Sequence, residues 1–293
     1  PRSTLFPYTT LFRSGMVRPD ARGKLQFTSF RQGLQGFPND LGDIWRVFAT
    51  PEGIFFQSFS YLFQFSPQGE LIRHFSSPGN FRFSFLVHGR LYLQEMGKGL
   101  LLLEGDHLVK LPGLESLVDK EIWALLPGYG NQLIIGTSAH GVFTFSGSGL
   151  TPWTTSANEL FRSHQIFSAC PVGENSLAFG TIRGGVVSTT ATGELIQHLD
   201  KNNGLQNNTV LSITTDRKGN LWMGLDNGID FAEISSPLTF LHHPGGFGTG
   251  YAAAIHNGYL DLGTNNGLFA SPWSPANTGS QPSFRLVPHT VGQ

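Results

Sequence analysis

Six segments of this chain repeat one short pattern, and that repetition limits the fold more than any other feature of the sequence. They read IFFQSF, LYLQEMGKGLLLL, LIIGTSAHGVFTF, LAFGTIRGGVVST, LWMGLDNGIDFAE and LDLGTNNGLFASP. Each has three mostly apolar residues, then Gln or Gly, and in most copies a Gly-containing turn and a second apolar stretch. The anchors are Gln57, Gln94, Gly136, Gly180, Gly224 and Gly263, spaced 37, 42, 44, 44 and 39 residues apart. That period matches one four-stranded propeller blade, about 40 to 50 residues.

In the clearest copy, 210–215 is predicted as a strand, 216–220 as a polar turn and 221–225 as the next strand. Asn227-Gly228 is predicted as a two-residue hairpin turn with positive φ at both positions, leading into a third strand over 229–234. Asn266-Gly267 repeats the device. A lone blade exposes its faces and edges and is marginal. Stacking blades face to face buries both faces, which accounts for strands that are apolar almost throughout. The expected fold is therefore all-β, a β-propeller of four-stranded antiparallel blades, about six to seven of them, truncated at both ends. A series of β-sandwiches is the rival, but it gives no reason for a repeated Gly-Thr anchor. The closing FRLVPHTVGQ reads as the opening of another blade.

Composition agrees with many short strands: the 293 residues include 37 Gly and 25 Phe, with 13% charged residues and a net charge of −1. Near-neutrality argues against nucleic acid binding, which draws on clustered Lys and Arg. No apolar run approaches the roughly 20 residues of a membrane helix. Cys170 stands alone, so no intrachain disulfide or Cys-based metal framework is available, and it reads as a small buried hydrophobe.

The chemistry-bearing motifs are weak. His242-His243 is the sole adjacent His pair, and strand neighbours point to opposite faces, so no metal site is expected. The glycine run 245–250, GGFGTG, lacks the Lys-Ser/Thr of a phosphate loop and opens no helix; it reads as a blade-to-blade connection. Asp216 in DRKGNLW is expected to cap its own turn. Trp45, Trp123 and Trp222 are the candidates for ligand stacking. Trp45 and Trp123 share an Ile-Trp strand start, and a repeated position favours blade packing. Asn207-Asn208-Thr209 fits a glycosylation acceptor and reads as structural. No catalytic residue and no cofactor are expected.

At these residues the chain resembles a known family. GLQNNTVLSITTDRKGNLWMGLDNGIDF is similar to the two-component regulator propeller repeat. The matching positions are Gly204, Leu205, Asn207, Asn208, Asp216, Gly219, Asn220, Leu221, Trp222, Gly224 and Gly228. The other five copies keep the anchor and lose most of the string. The resemblance implies a non-catalytic, ligand-sensing propeller on the periplasmic side of the inner membrane, in a bacterial signal-transduction or transcriptional regulator. It also implies parts outside this chain: a downstream immunoglobulin-like domain with three tyrosines, a membrane anchor, a dimer, and a histidine kinase or DNA-binding output. An oligosaccharide or other small ligand is the implied partner. A propeller enzyme, lyase or glycan-cleaving, and a protein-interaction scaffold are the alternatives.

The segment 4–14, TLFPYTTLFRS, resembles the conceptual translation of a short-read sequencing adapter. Residues 1–14 are therefore expected to be non-native, with 15–293 forming a partial propeller and GMVRPDARGKLQFTSF an incomplete first unit.

Overall fold

A computed structural model describes residues 15–38, 40–147, 149–234, 246–273 and 283–291. The segment 1–14 and the pair His242-His243 lie outside the described residues. The chain forms two compact units, 1–138 with 143–151, and 139–142 with 152–293.

The first unit opens with a hairpin of β1 (Gly15–Pro19) and β2 (Leu25–Ser29), followed by a short 3-10 turn at Phe30–Leu34. Three four-stranded sheets then follow. They are β3 (Arg46–Thr50), β4 (Gly53–Gln57), β5 (Tyr61–Phe65) and β6 (Leu71–Ser76); β7 (Phe81–Val87), β8 (Arg90–Glu95), β9 (Gly99–Glu104) and β10 (His107–Lys110); and β11 (Ile122–Pro127), β12 (Leu133–Thr137), β13 (Val142–Phe145) and β14 (Leu150–Pro152). The second unit carries helix α1 (Asn158–His164) and a sheet of β15 (Ile166–Val172), β16 (Ser176–Thr181), β17 (Val186–Thr190) and β18 (Leu195–Leu199). Next come β19 (Val210–Thr215), β20 (Leu221–Leu225) and β21 (Ile229–Ala232), three-stranded among the described residues. The last sheet is β22 (Gly250–His256), β23 (Tyr259–Thr264), β24 (Gly267–Pro272) and β25 (Arg285–Leu286). These antiparallel meanders are the blades of an all-β propeller fold.

Two-sided burial explains the apolar strands. Along β4, Phe56 joins Phe30, Leu34, Phe63 and Phe65 on one face, while on the other Phe55 and Leu62 pack with Phe81, Leu91 and Leu93 of the neighbouring sheet. Tyr92, Leu100 and Leu102 leave by the opposite face of that sheet to meet Ile122, Leu125, Leu133 and Ile135. In the second unit Cys170, Ala178 and Val186 pack on Val210, Leu221, Met223 and Leu225. Each fully buried Phe, Leu, Ile, Val or Met among these contributes about 1.5–3 kcal/mol.

Two expectations are corrected. FRLVPHTVGQ does not open a new blade: Arg285 and Leu286 pair with Ala270 and Phe269 as the fourth strand of the last sheet. The turn at Asn227-Gly228 has positive φ only at Gly228 (φ 99). Leu225 N–H bonds Gly228 O, so Asp226-Asn227 make the turn and Gly228 supplies the left-handed residue that follows it. Asn266-Gly267 departs in the same way, with positive φ only at Gly267. Pairs with positive φ at both positions instead occur at His88-Gly89 and Asn257-Gly258, joining the first and second strands of their sheets.

Candidate functional site

Every anchor lies at or near the end of the second strand of its sheet: Gln57 in β4, Gln94 in β8, Gly136 in β12, Gly180 in β16, Gly224 in β20 and Gly263 in β23. In a meander that end also collects the turns into the third strands and the connections arriving from the preceding sheet. Opposite five of the six anchors the first strand is bulged. Register shifts fall at Phe81/Ser84, Ile122/Ala124, Ile166/Ser168, Val210/Ser212 and Gly250/Ala252. A bulge inserts an extra residue and re-aims its side chain. In four sheets that residue is Trp123, Phe167, Leu211 or Tyr251.

The next sheet's first strand constrains three of the anchors, Gly180, Gln57 and Gln94. At Gly180 an added Cβ would sit 2.5 Å from Ser168 Oγ and 2.7 Å from Val210 Cγ1, so the next sheet's first strand occupies the space a side chain would need. Where the anchor is Gln, its amide bridges to that strand instead. Gln94 Nε2 donates to Lys120 O and its Oε1 accepts from Ile122 N–H at 2.9 Å. Gln57 Nε2 donates to Arg82 O at 2.6 Å and its Oε1 accepts from Ser84 Oγ at 3.3 Å. Both Gln side chains are buried.

The repeat motif lies in the second unit and its hydrogen bonds are internal to the fold. Asp216 accepts from the backbone N–H groups of Lys218 and Asn220, from Asn220 Nδ2 at 3.0 Å and from Trp222 Nε1 at 3.4 Å. Partial burial alone would raise the Asp216 pKa, but these hydrogen bonds outweigh it and hold the carboxyl below its ordinary value. Gly219, at φ 81, closes the turn. Asn208 O accepts from Gly185 N–H and its Oδ1 from Lys201 N–H, while Asn207 Oδ1 accepts from Thr209 N–H. The Asn pair thus ties the incoming connection to the preceding sheet. Trp222 packs at a tilt against Phe231 of its own sheet, ring centroids 4.9 Å apart, and stays exposed, as does Phe231.

In the first unit the anchor end gathers a second group, which the repeat pattern did not single out. Trp45 stacks on Phe59, in the turn between β4 and β5, with ring centroids 4.9 Å apart. Phe83 lies edge-on to both, at 6.1 and 6.0 Å, and touches Trp123 at 4.5 Å. Trp123 packs against the core, in keeping with its Ile-Trp strand start, whereas Trp45 precedes its strand and is 44% exposed. The guanidinium carbons of Arg46 and Arg82 lie over Phe83 at 4.9 Å and over Phe59 at 5.8 Å. Burial pulls the Arg46 pKa down, yet a guanidinium remains charged at neutral pH. The signal for this group was an Arg beside the aromatic in both IWRVF and NFRFSF.

Elsewhere in this unit, Phe75, Ser76, Phe81, Glu95, Lys98 and Lys110 line a cavity of about 340 Å³. Buried Glu95 accepts from Ser77 Oγ at 2.6 Å and pairs with Lys98 Nζ at 2.8 Å. Burial raises the Cys170 thiol to about 12, which keeps it a neutral core residue. Among the described residues no group of three His, Cys, Asp or Glu is placed to hold a metal, and no helix is long and apolar enough to cross a membrane. After 246–249 the chain enters β22, so the glycine run opens a strand, not a helix.

Fold and geometry together define a β-propeller scaffold with a loop-bearing end. Residues 204–227 match the family model described as "Two component regulator propeller", the same span that carries the full-strength repeat. No curated protein matches the chain. Among solved structures, it is similar to the extracellular domain of BT4673 from B. thetaiotaomicron, described as a one component system. That match has 16% identity and a TM-score of 0.45, covering 94% of this chain and 46% of that one. A second is the extracellular domain of BT3049 from B. thetaiotaomicron, described as a hybrid two component system, with 18% identity, coverage of 94% and 43%, and a TM-score of 0.34. A third is PorZ, a surface component of the type-IX secretion system of Porphyromonas gingivalis, with 16% identity, coverage of 87% and 42%, and a TM-score of 0.49. The chain spans less than half the length of each of these.

Proposed function

We propose that this chain is the non-catalytic, ligand-sensing propeller of a bacterial signal-transduction or transcriptional regulator, working on the periplasmic side of the inner membrane. The observation that carries the reading is the two-component regulator repeat at 204–227, set in a scaffold where Gln57, Gln94 and Gly180 contact the next sheet at the loop-bearing end. The bulged first strands and the Gln57 and Gln94 bridges hold the loops on a rigid base, the arrangement in which binding residues usually sit. Occupation of that end favours one packing of the propeller against the regulator's remaining domains, and the population shift is the signal. The output domain, the three-tyrosine immunoglobulin-like domain, the membrane anchor and the dimer belong to the rest of that regulator. An oligosaccharide is the first ligand to test.

A thermal-shift panel of oligosaccharides on this chain is the direct experiment. A ligand at about 100 times its Kd adds about 2.7 kcal/mol and raises the melting temperature measurably. The reading expects one glycan class to do so. Turnover of a bound glycan, measured as new reducing ends or unsaturated products, would replace the sensor with a propeller enzyme.

A further inference from the structure

The platform around Trp45 is surface chemistry that folding leaves open. Phe59 covers one indole face, with an interplanar angle of 18°, and Phe83 meets the indole edge-on. Trp45 nevertheless keeps 44% of its surface exposed, so the open area lies on the face turned from Phe59 and on the remaining edge. Arg46 sits over Phe83 and Arg82 over Phe59. Followed through these shared rings, both guanidinium carbons fall within about 11 Å of the Trp45 ring centre.

The two cations differ in what they already hold. Arg82 donates to Gly79 O at 3.1 Å and Phe81 O at 3.2 Å, and its Nε is 3.8 Å from the half-exposed Glu121 carboxylate. Arg46 is half-buried, and among the described residues it donates no hydrogen bond and meets no carboxylate. A partly desolvated guanidinium recovers free energy when a carboxylate docks on it in a bidentate pair. An indole face attracts a ring whose C–H bonds are turned toward it.

We infer that this platform binds a carboxylate-bearing saccharide, with a sugar ring on Trp45 and the carboxylate on Arg46. The inference rests on the ligand-sensing reading and adds to it the charge class of the ligand and the residues that select it. A nucleotide also joins a ring to an anion, but phosphate sites draw on free backbone N–H groups. Here those groups are spent: Trp45 N–H on Gln57 O, Phe81 N–H on Phe59 O, and Ile122 N–H on Gln94 Oε1.

The test is calorimetric titration of this chain with trigalacturonate, with its neutral methyl ester and with AMP. Trigalacturonate is expected to bind about tenfold or more tighter than the ester, a preference that weakens as salt is added. Trp45→Ala lowers affinity for acid and ester alike by about tenfold, and Trp45→Phe restores most of it. Arg46→Gln removes the preference for the acid, and Arg46→Lys restores part of it. If Arg46→Gln lowers the melting temperature, the salt series and the Trp45 pair carry the test, since Trp45 is exposed. Equal binding of acid and ester, tighter binding of AMP, an acid preference that survives Arg46→Gln in a folded protein, or no saccharide binding by the intact fold overturns the inference. A neutral glycan whose binding ignores Trp45→Ala overturns this site and leaves the sensing reading standing. A full-length regulator with no glycan-dependent output overturns the sensing reading and leaves the binding result intact.

Discussion

Replacing Gly180 with Ala isolates the packing role of the anchor. Gly180 is not among the positive-φ glycines, so Ala brings no backbone strain. Its Cβ, however, would stand 2.5 Å from Ser168 Oγ, 2.7 Å from Val210 Cγ1 and 3.1 Å from Val210 Cβ. The Ser168 hydroxyl can rotate. Val210 is β-branched, fully buried and fixed on the next sheet's first strand, so it yields only if that strand moves. Overpacking of this kind costs about 1–3 kcal/mol, and the reduced freedom of the unfolded chain returns about 0.4–1 kcal/mol. The net expectation is a loss of about 1–2 kcal/mol. Gly224→Ala is the internal control, because its Cβ would meet only the Ser212 side chain; it should be within about 0.5 kcal/mol of neutral. The assay is urea unfolding followed by tryptophan fluorescence, with Val210→Ala completing a double-mutant cycle. The double variant should be less destabilised than the sum of the singles by about 1 kcal/mol. Equal midpoints for Gly180→Ala and Gly224→Ala, or strict additivity with Val210→Ala, would refute the reasoning.

Three further outcomes follow from the same structure. Gln94→Ala strips partners from Lys120 O and the buried Ile122 N–H and should cost about 2–4 kcal/mol in the same urea assay. The Asp216 carboxyl is held below its ordinary value in the fold, so its contribution is present above the normal carboxylate range and lost as pH falls through the folded value. Melting temperature against pH should therefore fall more steeply on the acid side for the parent than for Asp216→Asn. Cys170, with its thiol pushed up to about 12 by burial, should resist a disulfide reagent at pH 8 in the folded protein and react fully in urea.

How far the sequence reveals this molecule depends on the kind of interaction. The blade period was legible because an apolar strand ending in Gly or Gln recurs in each copy; at Gly180 the next sheet's Val210 leaves no room for a side chain, whereas Gly224 faces only Ser212 of its own sheet. Val210–Thr215 and Leu221–Leu225 fall where the polar turn at 216–220 puts them. The turn at Asn227-Gly228 was only half legible, since a pair favoured in one turn type also serves a type with one left-handed residue. Gln57 and Gln94 could be aligned with the glycines, yet their role could not be read, because it depends on the backbone of a strand some 25 residues further on. The Trp45 group is a case of convergence. Trp45, Phe59 and Phe83 come from three separate stretches, and the repeat says only that each sits near a strand end. The reading of Trp45 as blade packing fits its stack on Phe59 and misses the open face.

The central claim is that the anchor end of the first unit is the ligand-contacting end. Hydrogen exchange with and without a saturating acidic oligosaccharide tests it most directly. The account predicts slowed exchange in peptides covering 43–46, 58–60, 79–83 and 121–123, with the turns at the other strand ends, around 51–52, 66–70, 88–89 and 105–106, unchanged. Protection confined to those opposite turns, or spread evenly over both ends, would contradict it.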